Sequence, residues 1–300
     1  MDDTLFTFQI EDTPIRGRSA RLGQASIGPI LARHDYPADI ASLLGEAVTL
    51  AALVGSSLKF DGKLLVQAEG NGPVSLLVGE YSTNGGLRGY ARYDRERVDA
   101  LRVINKGGRP HIPQYFGSGL LALIMVYDDR RKSPYQGVVP MHKATLAECA
   151  EVYFMQSEQV PTRVALTVAE HKIAGQEQYW RSGGMLIQKI AGDAARGDTD
   201  AAWEEAEALF ATLTPAELVD PELPADHLLY RLFHERGVRA EPTKDMKDQC
   251  TCNAARLKGL LSGMPKTELE DMAEANGKIG IDCQFCGRHY DLPLGDLSAP

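Results

Sequence analysis

The sequence has few cysteines, no excess of positive charge and no long uninterrupted apolar run. Its 300 residues carry 32 lysines and arginines against 41 acids, a formal net charge of −9. Proteins that bind nucleic acids through phosphate usually present a basic surface, so this balance argues against a nucleic-acid partner. A membrane-spanning helix needs about 20 apolar residues. The most apolar stretch, residues 43–58, is interrupted by Glu46, Gly55 and two serines, so we expect no membrane partner.

Targeting signals and catalytic motifs are also missing from the sequence. It begins MDDTLFTFQIED, with acids first and without the apolar core of an export signal. We therefore expect a protein of the reducing cytoplasm, where clustered cysteines are metal ligands or redox thiols before they are structural disulfides. No glycine-rich stretch continues as a phosphate loop, and there is neither a nucleophile elbow nor a metalloprotease pair of histidines. We expect no enzyme.

Residues 1–182 have the pattern of one mixed domain. Helical periodicity covers residues 39–59, and a threonine-x-x-glutamate capping box at 145–148 begins a second helix. A strand over residues 162–172 closes the domain. Other β-rich runs, separated by turn signals, lie at residues 63–70, 73–82, 87–94 and 120–128. The spacing predicts an antiparallel meander rather than βαβ units, and the fold class is α+β.

From Gly183 the sequence favours short helices joined by prolines. Residues 192–241 hold twelve acids and four arginines, a local balance of −8. Like charges at this density destabilise a compact state. The segment is therefore either a solvated acidic face or a marginally stable unit that needs a neighbour to stay folded. We place a helical linker at residues 183–240.

Four of the five cysteines form two close pairs in the last fifty-one residues. One residue separates Cys250 from Cys252, two separate Cys283 from Cys286, and thirty lie between the pairs. Two such pairs joined by a longer loop are typical of a tetrahedral zinc site, to which each pair supplies one edge. A structural zinc ion is the favoured interpretation, and two redox pairs without metal are the alternative.

The terminal unit, residues 241–300, is too small to be stable without a cross-link such as a disulfide or a structural metal ion. Structural zinc contributes on the order of 10–16 kcal/mol of apparent binding free energy near neutral pH. If an oxidant converted each pair into its own disulfide, the short loops would restrain the unfolded chain very little. Oxidation is then expected to unfold the unit, which makes the pairs a candidate switch. An inert structural zinc site is the alternative.

Two further candidates are weaker. His289 follows the second cysteine pair, but four cysteines already complete a tetrahedral shell. Cys149 lies on the apolar side of the helix that begins after Thr145. We expect it to be a buried core thiol rather than a reactive one.

Several motifs resemble those of a known family and follow in the same order. They are GKLLVQAEGNGPVSLLVGEY, PYQGVVPM, YFMQSEQVPTRVALTV, GGMLIQKIAG and the terminal C-x-C…C-x-x-C with CQFCGRHYDL. Together they span nearly the whole chain, and the family that they resemble is the heat shock protein 33 family of redox-regulated bacterial chaperones. The resemblance implies a cytoplasmic holdase that binds unfolding client proteins and prevents their aggregation under oxidative and heat stress.

The resemblance also implies an inactive and an active form, which differ in the chemical state of the four paired cysteines. The reduced, inactive form would hold one zinc ion on Cys250, Cys252, Cys283 and Cys286. The active form would have released zinc, carry the disulfides Cys250–Cys252 and Cys283–Cys286, and form homodimers.

The same resemblance implies a three-part plan. An N-terminal α+β chaperone core would cover residues 1–182, a metastable helical linker 183–240, and a C-terminal zinc-binding redox-switch domain 241–300. Loss of zinc would unfold the last part, destabilise the linker and expose apolar surface for clients. Candidate client contacts are Met185, Leu186, Ile187 and Ile190, for which ordinary core packing is the alternative.

Two other functions stay open from the sequence alone. CQFC could belong to a thiol–disulfide oxidoreductase, but such enzymes place the motif at a helix start in a βαβ setting, whereas here it follows KIGID near the end. A zinc-ribbon nucleic-acid-binding protein is disfavoured, because residues 241–300 hold seven bases against ten acids.

Overall fold

The structure is a computed structural model that describes residues 2–57, 59, 61–129, 131–172, 178–190 and 199–297. The chain divides into two compact units, Met1–Asp248 and Gln249–Pro300. Helices and strands are present in both units, so the predicted α+β class is confirmed. The predicted three-part division stays a prediction.

Two antiparallel sheets form the frame of the first unit. One is five-stranded, in the order β10-β1-β2-β9-β8, and the other is six-stranded, in the order β11-β5-β4-β3-β6-β7, in which only the β11–β5 pairing is parallel. The strands are β1 (Thr4–Ile10), β2 (Ile15–Leu22), β3 (Gly62–Glu69), β4 (Val74–Ser82), β5 (Gly86–Tyr93), β6 (Leu120–Tyr127), β7 (Tyr135–Pro140), β8 (Thr162–His171), β9 (Tyr179–Lys189), β10 (Val238–Asp245) and β11 (Lys247–Asp248).

Helices connect these strands and cover them. They are α1 (Ile27–Ala32), α2 (Ala38–Gly55), α3 (Arg95–Ile104), α4 (Ile112–Phe116), α5 (Leu146–Tyr153), which continues as a π-helical turn over Phe154–Glu158, α6 (Thr199–Phe210), α7 (Pro215–Val219) and α8 (Ala225–Phe233).

The predicted meander is confirmed for three strands. β3, β4 and β5 follow one another in the six-stranded sheet, but β6 returns to pair with β3, because α3 and α4 carry the chain back across the sheet. In β3, buried and half-buried residues alternate from Gly62 to Ala68. This is the period-two pattern that identified the strand in the sequence.

Helix α2 is the centre of the main core. It packs against strands of both sheets, and its Thr49 hydroxyl lies 2.7 Å from that of Ser182 on β9. By length and composition α2 is apolar enough to cross a membrane, yet 83% of it is buried inside the protein. Its apolar residues therefore serve as the core of a folded domain.

A second core lies on the opposite face of the five-stranded sheet. Helices α6, α7 and α8 cover this face, where Phe8 of β1 stacks on Phe233 of α8 with ring centroids 5.7 Å apart. We call these three helices the covering helices. Residues 183–189, predicted to belong to the helical segment, are part of β9 instead, because both sides of this interior strand are buried and it shows no alternation.

The second unit is small. It contains α9 (Ala254–Leu261), α10 (Lys266–Met272) and the hairpin of β12 (Lys278–Asp282) and β13 (His289–Pro293), followed by a 3₁₀ turn over Leu294–Asp296. Its buried apolar residues are Leu261, Leu269, Ile279, Leu292 and Leu297. So small a core fits the expectation that this unit needs an additional cross-link.

Candidate metal centre

The first cysteine pair lies directly before α9. Asn253 caps this helix, because its side-chain oxygen accepts a hydrogen bond of 2.8 Å from the backbone N–H of Arg256. The first residue of the helix, Ala254, therefore lies two residues after Cys252. The partial positive charge of the helix N-terminus favours anionic sulfur nearby.

The second pair lies in the turn between β12 and β13. Cys283 follows β12 directly, and its carbonyl oxygen accepts a hydrogen bond of 2.7 Å from the N–H of Gly287. The N–H of Cys283 donates to the carbonyl of Arg288 at 2.9 Å. Gly287 has a φ of +67°, which a residue with a Cβ rarely adopts. This tight turn brings Cys286 back beside Cys283.

All four sulfur atoms meet at one place. The Sγ atoms of Cys250, Cys252, Cys283 and Cys286 lie within 4.8 Å of one another, and each residue is half-buried. The Sγ–Sγ distance is 3.7 Å between Cys250 and Cys283 and 3.3 Å between Cys252 and Cys286. Tetrahedral zinc with bonds of about 2.3 Å would place its sulfur ligands about 3.8 Å apart. The cluster therefore has the donor type, number and spacing that a tetrahedral metal ion requires.

The electrostatics of the cluster favour one thiolate over four. Burial opposes ionisation of Cys252, but hydrogen bonds from Tyr290 Oη, at 3.1 Å, and from the other thiols lower its pKa to about 7. Burial and the hydrogen bonds with the other cysteines raise the pKa of Cys286 to about 12. Four thiolates at this spacing repel one another, so only a bound cation would keep all four ionised near neutral pH.

The other two sequence candidates lie outside this cluster. His289 is exposed, and its Nδ1 and Nε2 face the carboxylates of Asp282 and Asp291 at 2.8 and 3.3 Å, which raise its pKa. Cys149 is fully buried in the core of the first unit, as predicted, and burial raises the pKa of its thiol.

One residue of the cluster could not be found from cysteine spacing. Tyr290, the first residue after His289, directs its hydroxyl at Cys252. Nothing in CQFCGRHYDL separates a tyrosine that contacts sulfur from one that packs in the hairpin. Only the register of β12 against β13 brings this side chain to the cluster.

Known proteins resemble this chain over nearly its whole length. A family model described as Hsp33 protein matches residues 3–293. The chain belongs to the Hsp33 family. The 33 kDa chaperonin of Caulobacter vibrioides (strain NA1000 / CB15N) is 49% identical over 294 residues, which are 97% of this chain and 95% of that relative. The 33 kDa chaperonin of Azotobacter vinelandii is 36% identical over 304 residues, 99% of this chain and 95% of the relative.

A solved structure shares the fold. The crystal structure of the 33 kDa chaperonin from Thermotoga maritima superposes with a TM-score of 0.78 and 24% sequence identity, and the match covers 98% of this chain and 96% of that one. As a member of the Hsp33 family, the protein is a chaperone, whose partners are client proteins.

A chaperone binds clients through apolar surface, and the candidate client contacts lie on and beyond β9. Met185 and Ile187 are fully buried beneath the covering helices. Leu186 points the opposite way, into the core around α2. Ile190, just past the strand, is half-buried beside a cavity of about 250 Å³. Removal of the covering helices would therefore expose Met185 and Ile187 but not Leu186.

One contact of the covering helices was not apparent from the sequence. The guanidinium of Arg21 on β2 donates to the carbonyl oxygens of Glu217, at 2.6 Å, and Asp220, at 2.8 Å, where α7 ends. A Cβ on Gly183 would lie 2.1 Å from the carbonyl oxygen of Leu218. Helix α7 therefore rests directly on the backbone of β9 beside a buried arginine.

Proposed function

We propose that this Hsp33 chaperone is a holdase controlled by the redox state of its four-cysteine cluster. The observation that carries the proposal is the convergence of four thiols in a unit with only a small apolar core. The metal we propose is one zinc ion, bound by Cys250, Cys252, Cys283 and Cys286 in the reduced, inactive protein. When bound, zinc would supply a cross-link between the segment before α9 and the β12–β13 turn.

Oxidation of the sulfurs would remove this ligand set. With hydrogen peroxide as oxidant, a thiolate attacks the O–O bond and becomes a sulfenic acid, with release of one water after proton uptake. A neighbouring thiol then displaces the sulfenic hydroxyl as a second water, and the S–S bond forms. Two thiols are oxidised and one peroxide is reduced. The low pKa of Cys252 supports it as the first sulfur to react once metal is absent.

The pairing decides the structural outcome. We propose the disulfides Cys250–Cys252 and Cys283–Cys286, each of which closes a very short loop and leaves the unit without a long-range cross-link. The sulfur contacts of 3.7 Å between Cys250 and Cys283 and of 3.3 Å between Cys252 and Cys286 run across the pairs instead. Disulfides formed along those contacts would tie the segment before α9 to the hairpin. Peptide mapping of the oxidised protein without reductant distinguishes the two pairings, and cross-pair disulfides would contradict the proposed switch.

Unfolding of the second unit would then act on the covering helices through the chain. Strand β10 lies between α8 and the first cysteine, and it is an edge strand with mostly exposed side chains. The covering segment is also acidic, and its self-repulsion opposes compact packing. We propose that its release presents Met185 and Ile187, with the apolar residues around them, to unfolding clients. The oxidised protein would act as a homodimer in the cytoplasm under oxidative and heat stress.

The central experiment follows two signals as peroxide is added at raised temperature. Metal release is measured with a chromogenic chelator, and aggregation of a heat-unfolding client is measured by light scattering. Suppression of aggregation should appear together with metal release and should disappear after reduction with thiol and added zinc. Cys149→Ala, which leaves the cluster intact, is the matched control and should switch normally. Equal suppression by the reduced, zinc-loaded protein would contradict redox control.

A further inference from the structure

An open groove lies on the five-stranded sheet, on the face opposite the covering helices. Its volume is about 320 Å³. The strand registers place Arg18 of β2 beside Thr7 of β1 and Thr7 beside Glu241 of β10, and they place Arg16, Gln9 and Arg239 in a parallel row. Side chains alternate between the faces of a sheet, so these six share one face. Phe8, the residue between the two rows on β1, faces the covering helices.

Neither arginine of β2 is paired with an acidic side chain of the described residues, although Glu241 also lines the groove. Among the described residues, neither Arg16 nor Arg18 forms an ion pair, and the buried Nε of Arg18 has no hydrogen-bond partner. Arg239 is already paired with Glu11 at 3.3 Å. Glu241 is exposed at the rim. In a protein with a net charge of −9, these two arginines therefore lie side by side on a concave surface without an ion-pair partner among the residues that the structure describes.

The position of Arg18 is costly without an anion. Burial and the positive charge of Arg16 lower the pKa of Arg18 to about 10, so it stays protonated at neutral pH. A half-buried cation beside a like charge destabilises the fold unless something offsets it. A packing role for the aliphatic stem alone would be met as well by an uncharged residue.

We propose that this groove binds a small phosphate-bearing anion through Arg16 and Arg18. Arginine forks match the oxygens of phosphate and donate to them in pairs. A phosphate group presents three or four terminal oxygens, so it can accept from both guanidinium groups at once, whereas one fork occupies both oxygens of a carboxylate. The Thr7 hydroxyl and the Gln9 amide supply further donors on the same face. This site is independent of the sulfur cluster and of the redox proposal.

The test is isothermal titration calorimetry of the reduced, metal-loaded full chain with inorganic phosphate at constant ionic strength. We expect saturable binding at one site. Arg16→Gln and Arg18→Gln should each weaken it by about tenfold or more, the loss expected for a charge-assisted contact. The control is Arg92→Gln, since Arg92 is an exposed arginine of the other sheet that donates to Ser75. This variant should bind as tightly as wild type.

A second set of measurements distinguishes loss of phosphate binding from failure of a variant to fold. Arg16 is exposed, so Arg16→Gln is expected to keep the wild-type circular dichroism spectrum and melting temperature. In the wild type, the Nε–H resonances of Arg16 and Arg18 should shift as phosphate is added, while that of Arg92 stays in place. Glycerol phosphate in place of phosphate shows whether the site takes phosphate esters as well. Unsaturable heats, or equal affinity in all variants, would overturn the proposal.

Discussion

At the scale of single residues, the hydroxyl of Tyr290 shows how a neighbouring side chain, together with the other thiols, lowers the pKa of a cysteine. It is an uncharged donor, yet it lies 3.1 Å from Cys252 and stabilises the thiolate there. The spacing of the four cysteines predicted where the sulfurs meet, because two short motifs each define an edge of the site. The spacing could not show which sulfur ionises first, because that depends on a side chain placed by strand register.

Tyr290→Phe should raise the pKa of Cys252 in the metal-free protein. The variant removes the O–H donor, so the thiolate loses one hydrogen bond while the ring remains. The measurement is the rate of alkylation by iodoacetamide against pH, with the modified cysteine identified by mass spectrometry. The rate profile of Cys252 should move to higher pH. Tyr230→Phe, in the first unit, is the control, and identical profiles in all three proteins would rule out this role.

Cys286→Ser should abolish tight metal binding. Serine leaves three sulfurs and a poor fourth ligand, so the bound metal measured after dialysis should fall well below one ion per chain. Its second unit should also lose hydrogen-exchange protection in β12 and β13. Cys149→Ala should keep full metal content, and retention of one ion by Cys286→Ser would contradict a four-sulfur site.

Glu46 should make the stability of the first unit dependent on pH. It is fully buried on α2, and burial raises its pKa although the paired Arg109 opposes the shift. Because the folded pKa lies above the unfolded value of about 4.3, the stabilisation by protonated Glu46 is present below that value. It is lost as the pH rises through the folded pKa.

Glu46→Gln therefore should unfold at higher urea concentration than wild type at neutral pH, by about 1 kcal/mol. This advantage should shrink as the pH falls toward the unfolded pKa of glutamate. The measurement is urea unfolding by circular dichroism across that range. A difference between the two proteins that does not change with pH would show that Glu46 is not the group responsible.

At the scale of secondary-structure elements, sequence patterns predicted best those features that are determined within one short stretch of chain. The capping box is formed as expected, with Thr145 N–H donating to Glu148 at 2.9 Å and Glu148 N–H donating back to Thr145 at 3.2 Å. Strand β9 was missed because Arg181 to Ile187 is buried on both sides, which removes the alternation. The contact of Arg21 with α7 spans 196 positions, beyond any local pattern.

Gly183→Ala should release the covering helices in the reduced protein. Its Cβ would overlap the carbonyl oxygen and carbon of Leu218, and these backbone atoms of α7 can move away only if the helix shifts. We expect loss of hydrogen-exchange protection in α7 and α8 and suppression of client aggregation without peroxide. Gly259→Ala on α9 has open space around its new Cβ, so it should stay inactive until oxidised. If suppression of aggregation by Gly183→Ala still requires peroxide, then the packing of α7 is not part of the redox switch.

At the scale of the whole molecule, stability is distributed unevenly between the two units. The first has two sheets on a buried helix, and the described part of the second has five buried apolar residues and the sulfur cluster. A chelator under reducing conditions should therefore unfold residues 249–297 and leave the sheets of the first unit intact. Limited trypsin digestion should cut first at Arg256 and Lys258, and added zinc should protect both sites. Equal protection with and without metal would show that the small core suffices.

The covering helices begin after β9 and end before β10, and both strands belong to the same sheet. Once detached, the covering helices would stay connected to the sheet at both ends of their segment, so they could not diffuse away. Their return is then a unimolecular event with a high effective concentration, independent of how much protein is present. A bound client polypeptide would have to compete continuously with these tethered helices for the apolar face of the sheet. A weakly bound client would dissociate as soon as the covering helices fold back onto the sheet.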